Sequence, residues 1–279
     1  MPAYIKHHTV PACYLANFGI NGNEDRESTV YYCEVKEKRY GIEKVDNIPV
    51  EKHFYDVDEL GNNKTFLEKG FSNIEGSLST LLKKIINSAI VNPEQRKSDF
   101  LQLSESERQE LSAQLSMQII RTWEFRNQLI DLRKQMKTAF PMAYPYTDTK
   151  ADYRRNHINM ILNSRISHFY ANLFDDRNIL VYINHTEVPF ITSDNPVVKI
   201  DNRKEKNYPI SDASQEITYY YPISPTIAIE LFSKEILKCD LGCLDLYDKK
   251  LIASYNGRIM RQCTRFLFAN KDLNPTKIR

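Results

Sequence analysis

The feature that most constrains this chain is a switch in the period of its apolar residues. From about 64 to 176 they recur at three- and four-residue steps, as in Ile74, Leu78, Leu81, Leu82 and Ile85, whereas on either side they run in short β-branched and aromatic stretches. A 3.6-residue period lays one apolar stripe along a helix, and that stripe must be buried against a partner. The first such helix carries Ile74 to Ile85. A second is expected to start at the cap Ser104-Glu105-Ser106-Glu107, to carry Leu111, Leu115, Ile119, Trp123 and Leu129, and to end near Phe140-Pro141. A third covers Tyr153 to Phe174.

The flanks read as strands. Thr29 to Val35 and a short piece within Ile48 to Asp56 precede the helical block. Ile179 to Ile183, Val188 to Ser193, Glu216 to Ile223 and Thr226 to Phe232 follow it as an expected antiparallel meander. One more helix around Asp245 to Gln262 and a strand from Arg265 to Ala269 close the chain. The expected fold is α+β in a single domain: a β-rich part over 1–63, a helical part over 64–176, a β-rich part with one helix over 177–270 and a polar tail over 271–279. The economical arrangement is one mixed or antiparallel sheet, joining both β parts, packed against a helical bundle.

Composition removes several classes of function. The 279 residues are enough to bury a sizeable core, and 38 basic against 36 acidic side chains leave a net charge of +2, too small to mark a broad nucleic-acid or anionic-membrane surface. Only 8 glycines stand beside 17 tyrosines and 13 phenylalanines, which disfavours glycine-rich phosphate loops and gives packing to aromatic rings. Cys13, Cys33, Cys239, Cys243 and Cys263 contain no Cys-x-x-Cys pair, so reduced thiols are expected. No apolar run is long enough to span a bilayer, and the first residues lack the apolar middle of a cleavable signal, so the cytoplasm is the expected compartment with no membrane partner.

Three clusters carry candidate chemistry. His7 and His8 precede Thr9-Val10-Pro11; imidazole titrates near neutrality, but neighbours in an extended segment point to opposite sides, so one of the two is expected to face a site. Ser193-Asp194-Asn195-Pro196 ends a strand, where a plain turn is the simplest role and a carboxylate presented to a cleft is the functional one. On the long helix, Gln114, Gln118 and Arg121 share one face; if buried, Arg121 needs a carboxylate or a phosphate as partner. Asp25 with Glu34-Val35-Lys36 imitates a metal-dependent nuclease core, although Glu-x-Lys is common in charged strands. His157 and His168 lie on one helical face but about 16 Å apart along it, too far to chelate one metal.

In order along the chain, His8-x-x-Pro11 with Tyr14-Leu15-x-x-Phe18, Phe54-Tyr55, Ile74-Glu75, Gln118-x-x-Arg121-Thr122-x-x-Phe125-Arg126, Phe190-x-Thr192-Ser193-Asp194-Asn195-Pro196-Val197, Tyr221-Pro222-x-Ser224-Pro225, Asn256 and Arg265-Phe266 resemble the family called domain of unknown function 4238. His7 stands where that pattern varies, so the resemblance carries the histidine onto His8. It implies a mostly prokaryotic, cytosolic, single-domain protein from genomic neighbourhoods of the mobile or defence kind.

The chemistry of these residue types leads to a phosphodiester-directed hydrolase, a nuclease or RNase-like effector of bacterial defence. His8 would be the general acid/base, Asp194 its orienter, Glu75 a second carboxylate and Arg121 the clamp on phosphate. Gln118, Ser193 and Asn195 would contact substrate, and Asp194 and Glu75 would be the ligands of a divalent metal ion, the candidate cofactor. RNA or DNA and a defence-system protein are the expected partners. The alternatives are a non-catalytic ligand- or protein-binding regulatory module and a nucleotide hydrolase. A sealed cluster of His8, Arg121 and Asp194 would favour the module, and an open pocket the enzyme.

Overall fold

The structure, a computed structural model, describes residues 6–22, 27–56, 66–91, 101–144, 147–203 and 211–274. The β-rich N-terminal part holds β1 (Lys6–His8), a short helix α1 (Ala12–Leu15), the hairpin β2 (Thr29–Glu34) and β3 (Arg39–Lys44), and β4 (Val50–Lys52). The helical part holds α2 (Phe66–Ile90), α3 (Glu105–Ile120), α4 (Trp123–Ala139), α5 (Lys150–Leu162) and α6 (Ser164–Asp175). The rest holds β5 (Arg177–Asn184), β6 (Thr192–Ser193), β7 (Val198–Asp201), β8 (Ile217–Pro222), β9 (Ile227–Ser233), β10 (Gly242–Leu246), α7 (Lys249–Gln262) and β11 (Phe266–Ala269). The α+β class is as expected, and among the described residues no helix is long and apolar enough to cross a membrane.

The two expected long helices each break. Arg121 closes α3, and Thr122, with extended backbone, accepts the Phe125 N–H through Oγ1 at 3.2 Å while donating to the Ile119 carbonyl at 2.9 Å. A hydroxyl that caps one helix and holds the last turn of the other lets the axis turn without glycine or proline. Asn163 joins α5 and α6 in a related way, its side chain accepting from the Arg165 N–H and its backbone N–H donating to the Met160 carbonyl at 3.2 Å. The predicted cap at Ser104 is a full capping box with Glu107.

The strands divide over three sheets among the described residues instead of one. The two β parts do meet, in a four-stranded sheet of order β3-β2-β11-β6. A second sheet has the order β10-β5-β9-β8-β7, antiparallel except for β10, which runs parallel to β5; β1 and β4 pair alone. The expected meander fails at its second member. After Asn184 the chain turns out of the sheet, with the Asn184 and Thr186 side chains bonded to the Val188 carbonyl, and Thr192–Ser193 pairs with β11. The last helix starts at Lys249, not near Asp245, because Gly242–Leu246 is a strand.

The main core lies where these layers meet. Leu78, Leu81, Leu82, Ile85, Ile86 and Ala89 of α2 pack with Val10, Tyr14 and Phe18, with Ile179, Val181 and Ile183 of β5, and with Phe266 and Phe268 of β11. Each fully buried Leu or Ile contributes roughly 1.5–3 kcal/mol, so this row outweighs the small intrinsic stability of α2. A smaller aromatic cluster of Phe54, Tyr55, Phe71 and Phe125 joins the N-terminal part to the helices. There Arg126 donates to His157 Nδ1 at 3.0 Å and lies over the Phe54 ring, while His157 Nε2 donates to the Ile120 carbonyl at 2.7 Å. Burial, helped by Arg126, pushes His157 down to about 3, so it is a neutral core histidine.

Candidate functional site

Because β1 is extended, its two histidines face opposite ways. His7 is buried: its Nδ1 accepts the Tyr55 N–H at 2.9 Å, its ring stacks on Tyr55, and its Nε2 faces Asp56 Oδ1 at 3.4 Å. Asp56 Oδ2 in turn meets Nδ1 of the half-exposed His53 at 2.6 Å. His8, on the other side, is partly exposed and offers its backbone carbonyl to Arg121 Nη2 at 2.7 Å.

Arg121 organises this region from the end of α3. It is 1% exposed. Nη1 meets Glu75 Oε1 of α2 at 3.2 Å, the guanidinium lies 4.3 Å from the Phe71 ring centre, and the Arg121 carbonyl accepts the Tyr55 hydroxyl at 2.8 Å. One turn earlier, Gln118 Nε2 reaches the Thr9 carbonyl at 3.5 Å. His8, Glu75, Gln118 and Arg121, taken together from the sequence, are therefore neighbours. The guanidinium faces a carboxylate, a carbonyl and a ring of its own chain, since a charge taken out of water needs such partners.

Asp194 belongs to a different neighbourhood. Its Oδ1 accepts from the Thr264 N–H at 3.0 Å and from Cys263 Sγ at 3.5 Å, and its N–H donates to the Phe266 carbonyl. These bonds tie the loop to the junction of α7 and β11. At 2% exposure, and with Oδ2 buried without a hydrogen bond among the described residues, its carboxyl is pushed up to about 6 by desolvation, partly offset by the Thr264 N–H. Ser193 Oγ donates to the Asn195 carbonyl and accepts the Asn195 N–H, closing the turn, and Asn195 Nδ2 donates to the Gln262 carbonyl. Ser193 thus closes the turn, and its side chain is buried.

Asn195 reaches a small open cleft of about 50 Å³, lined by Ile119, Thr122, Glu124, Phe125, Gln128, Tyr170, Asn195, Val197, Lys199, Asp212, Tyr219 and Gln262. The helix break at Thr122 forms one wall, and α6, β7, β8 and the end of α7 supply the others. Gln262 braces it by donating to the Lys199 carbonyl at 2.6 Å and accepting the Lys199 N–H at 3.1 Å. Thr264 links cleft and loop, its N–H on Asp194 and its hydroxyl 3.5 Å from Glu124 Oε2.

The remaining motif residues converge on Tyr14. Its hydroxyl donates to the Pro222 carbonyl at 2.6 Å and so accepts from Thr192 Oγ1 at 2.7 Å, and its ring stacks on Tyr221. Asn256 holds the Pro189 carbonyl and the Ile191 N–H. One ordered series of motifs thus packs against itself over most of the chain, and the family model described as protein of unknown function (DUF4238) matches residues 6–272. The chain belongs to this family. No curated protein and no solved structure matches it.

Within this DUF4238 chain, the described residues contain no group of three or more His, Cys, Asp or Glu side chains able to hold a metal ion. Glu75 and Asp194, read from the sequence as ligands, sit in separate neighbourhoods: Glu75 on Arg121, Asp194 on Thr264 and Cys263. Asp25 lies outside the described residues, and Glu34 of the same nuclease-like reading is ion-paired with Arg39 and Arg265. What sequence reading missed is the cleft, because Glu124, Lys199, Asp212 and Gln262 come from four places in the chain. Glu124 alone sits inside a motif, between Thr122 and Phe125, and Asp212 lies far from any.

Proposed function

We propose that this chain is a ligand-binding module whose working surface is the cleft between α4, β7 and the end of α7. His8, Glu75, Gln118 and Arg121 are framework residues in this reading. The observation that carries it is the inward engagement of Arg121, whose buried guanidinium bonds to Glu75 and the His8 carbonyl. A phosphodiester or nucleotide hydrolase built on these residues needs that cation turned toward substrate and Asp194 open to the same site. The cleft supports the same conclusion. Among the described residues its charged side chains are two carboxylates, Glu124 and Asp212, and one ammonium, Lys199, a lining with a net negative charge that disfavours a phosphate chain.

Two experiments test the reading. Crystals soaked with a library of small polar fragments are expected to show them in the cleft. Labelled RNA and DNA, with and without divalent metal, are expected to survive incubation with wild type, His8→Ala and Asp194→Ala alike. Cleavage by the wild type that His8→Ala abolishes would overturn the proposal in favour of the hydrolase.

A further inference from the structure

We propose that the cleft selects a small organic cation, a primary amine or guanidinium compound, with Glu124 as its counter-ion. This rests on the ligand-binding reading and names the class of ligand. Three charged side chains line the cleft, and two of them satisfy each other: Lys199 Nζ lies 2.6 Å from Asp212 Oδ1, while Asp212 Oδ2 accepts the Tyr170 hydroxyl at 2.8 Å. Glu124 differs. Its Oε1 accepts from Gln128 Nε2 at 3.0 Å and its Oε2 lies 3.5 Å from Thr264 Oγ1, both neutral donors, and it has no ion-pair partner among the described residues. Among the described residues, the cleft therefore holds one carboxylate whose charge no cation of the protein balances.

The rest of the lining fits a cation with an apolar stem. The partly exposed Tyr170 brings an aromatic ring, whose face attracts ammonium and guanidinium groups, and the partly exposed Ile119 brings alkyl surface, while Phe125, Val197 and Tyr219 form the buried floor, the Tyr219 ring already carrying the Arg177 guanidinium. Other polar groups are already engaged inside the protein. Thr122 Oγ1 bonds to the Ile119 carbonyl and the Phe125 N–H, and the Gln262 amide bonds to both backbone groups of Lys199. A neutral polyol would find few open hydrogen-bonding groups, and an anion would meet Glu124.

The test is a calorimetric titration of the full chain with 1,4-diaminobutane and with agmatine, beside 1,4-butanediol as neutral control and succinate as anionic control. The two cations are expected to bind, more weakly at high salt, and the controls to leave no heat of binding. Glu124→Gln keeps the side chain's shape and its acceptor for Gln128, and is expected to weaken the cations at least tenfold with unchanged melting temperature. Glu37→Gln, an exposed carboxylate in the β2–β3 turn, serves as control and is expected to change nothing. Equal binding of the diol, or cation binding that Glu124→Gln leaves intact, overturns the cationic ligand while the cleft remains a binding site. Failure of all four probes to bind, with the soaked fragments also absent from the cleft, overturns both.

Discussion

At the scale of single residues, the polar groups that look most chemical are the ones most fully taken up by the fold. Arg121 carries its charge to a place 1% exposed, where Glu75 and the His8 carbonyl receive it. Removing one member of such a pair strands the other, so Arg121→Met is expected to cost about 3 kcal/mol in urea unfolding. Asp194 and His157 give opposite pH dependences. Asp194, pushed up to about 6, is easiest to bury protonated; its contribution is complete below the usual carboxylate range and fades as pH rises through 6. His157, pushed down to about 3, contributes above 6.5 and loses that contribution as pH falls toward 3. Between pH 6 and 4 the two oppose each other, so Asp194→Asn, which leaves only the histidine's loss, is expected to make stability fall more steeply on acidification. A series of thermal melts across that range checks the slope, and an unchanged slope would deny Asp194 this role. The sequence showed that Arg121, if buried, needs an anionic partner and that adjacent histidines must diverge. It could not show that the partner is Glu75, because α2 and α3 meet only in the folded chain.

At the scale of elements, most of the helices and strands were legible from apolar period, and the exceptions lack a periodic apolar signal for different reasons. Thr122 and Asn163 interrupt helical periodicity with no glycine or proline, and a side chain that caps the next helix looks from sequence like any polar residue on a solvated face. β3 was missed because Arg39–Lys44 is charged and only partly buried, and β10 because its outer edge is unpaired and its Asp245 resembles the start of a helix. The Thr122 cap also shapes the cleft. Thr122→Ala is expected to cost about 1 kcal/mol by thermal or urea unfolding and to weaken cation binding in the cleft, because Glu124 stands on the turn it fixes. Full binding in a measurably destabilised variant would separate the cap from the site.

At the scale of the whole molecule, the expected meeting of the two β parts takes place through β11, which pairs with β2 on one side and β6 on the other. Arg265 extends that link by bonding to both Glu34 and Glu51. A chain truncated before Phe266 is expected to lose cooperative unfolding, measured by circular dichroism, because β2 and β6 lose their common neighbour and the core loses Phe266 and Phe268. The division into separate sheets was not legible, since strand order depends on contacts across long stretches of chain. Those stretches also set an order in time. Arg265 and Glu34 bond across 231 positions, so a growing chain makes the β2–β3 hairpin long before the strand that covers its inner edge. Throughout that interval the inner edge of β2, which β11 covers in the finished sheet, lacks its partner strand, the kind of edge on which a growing chain can mispair.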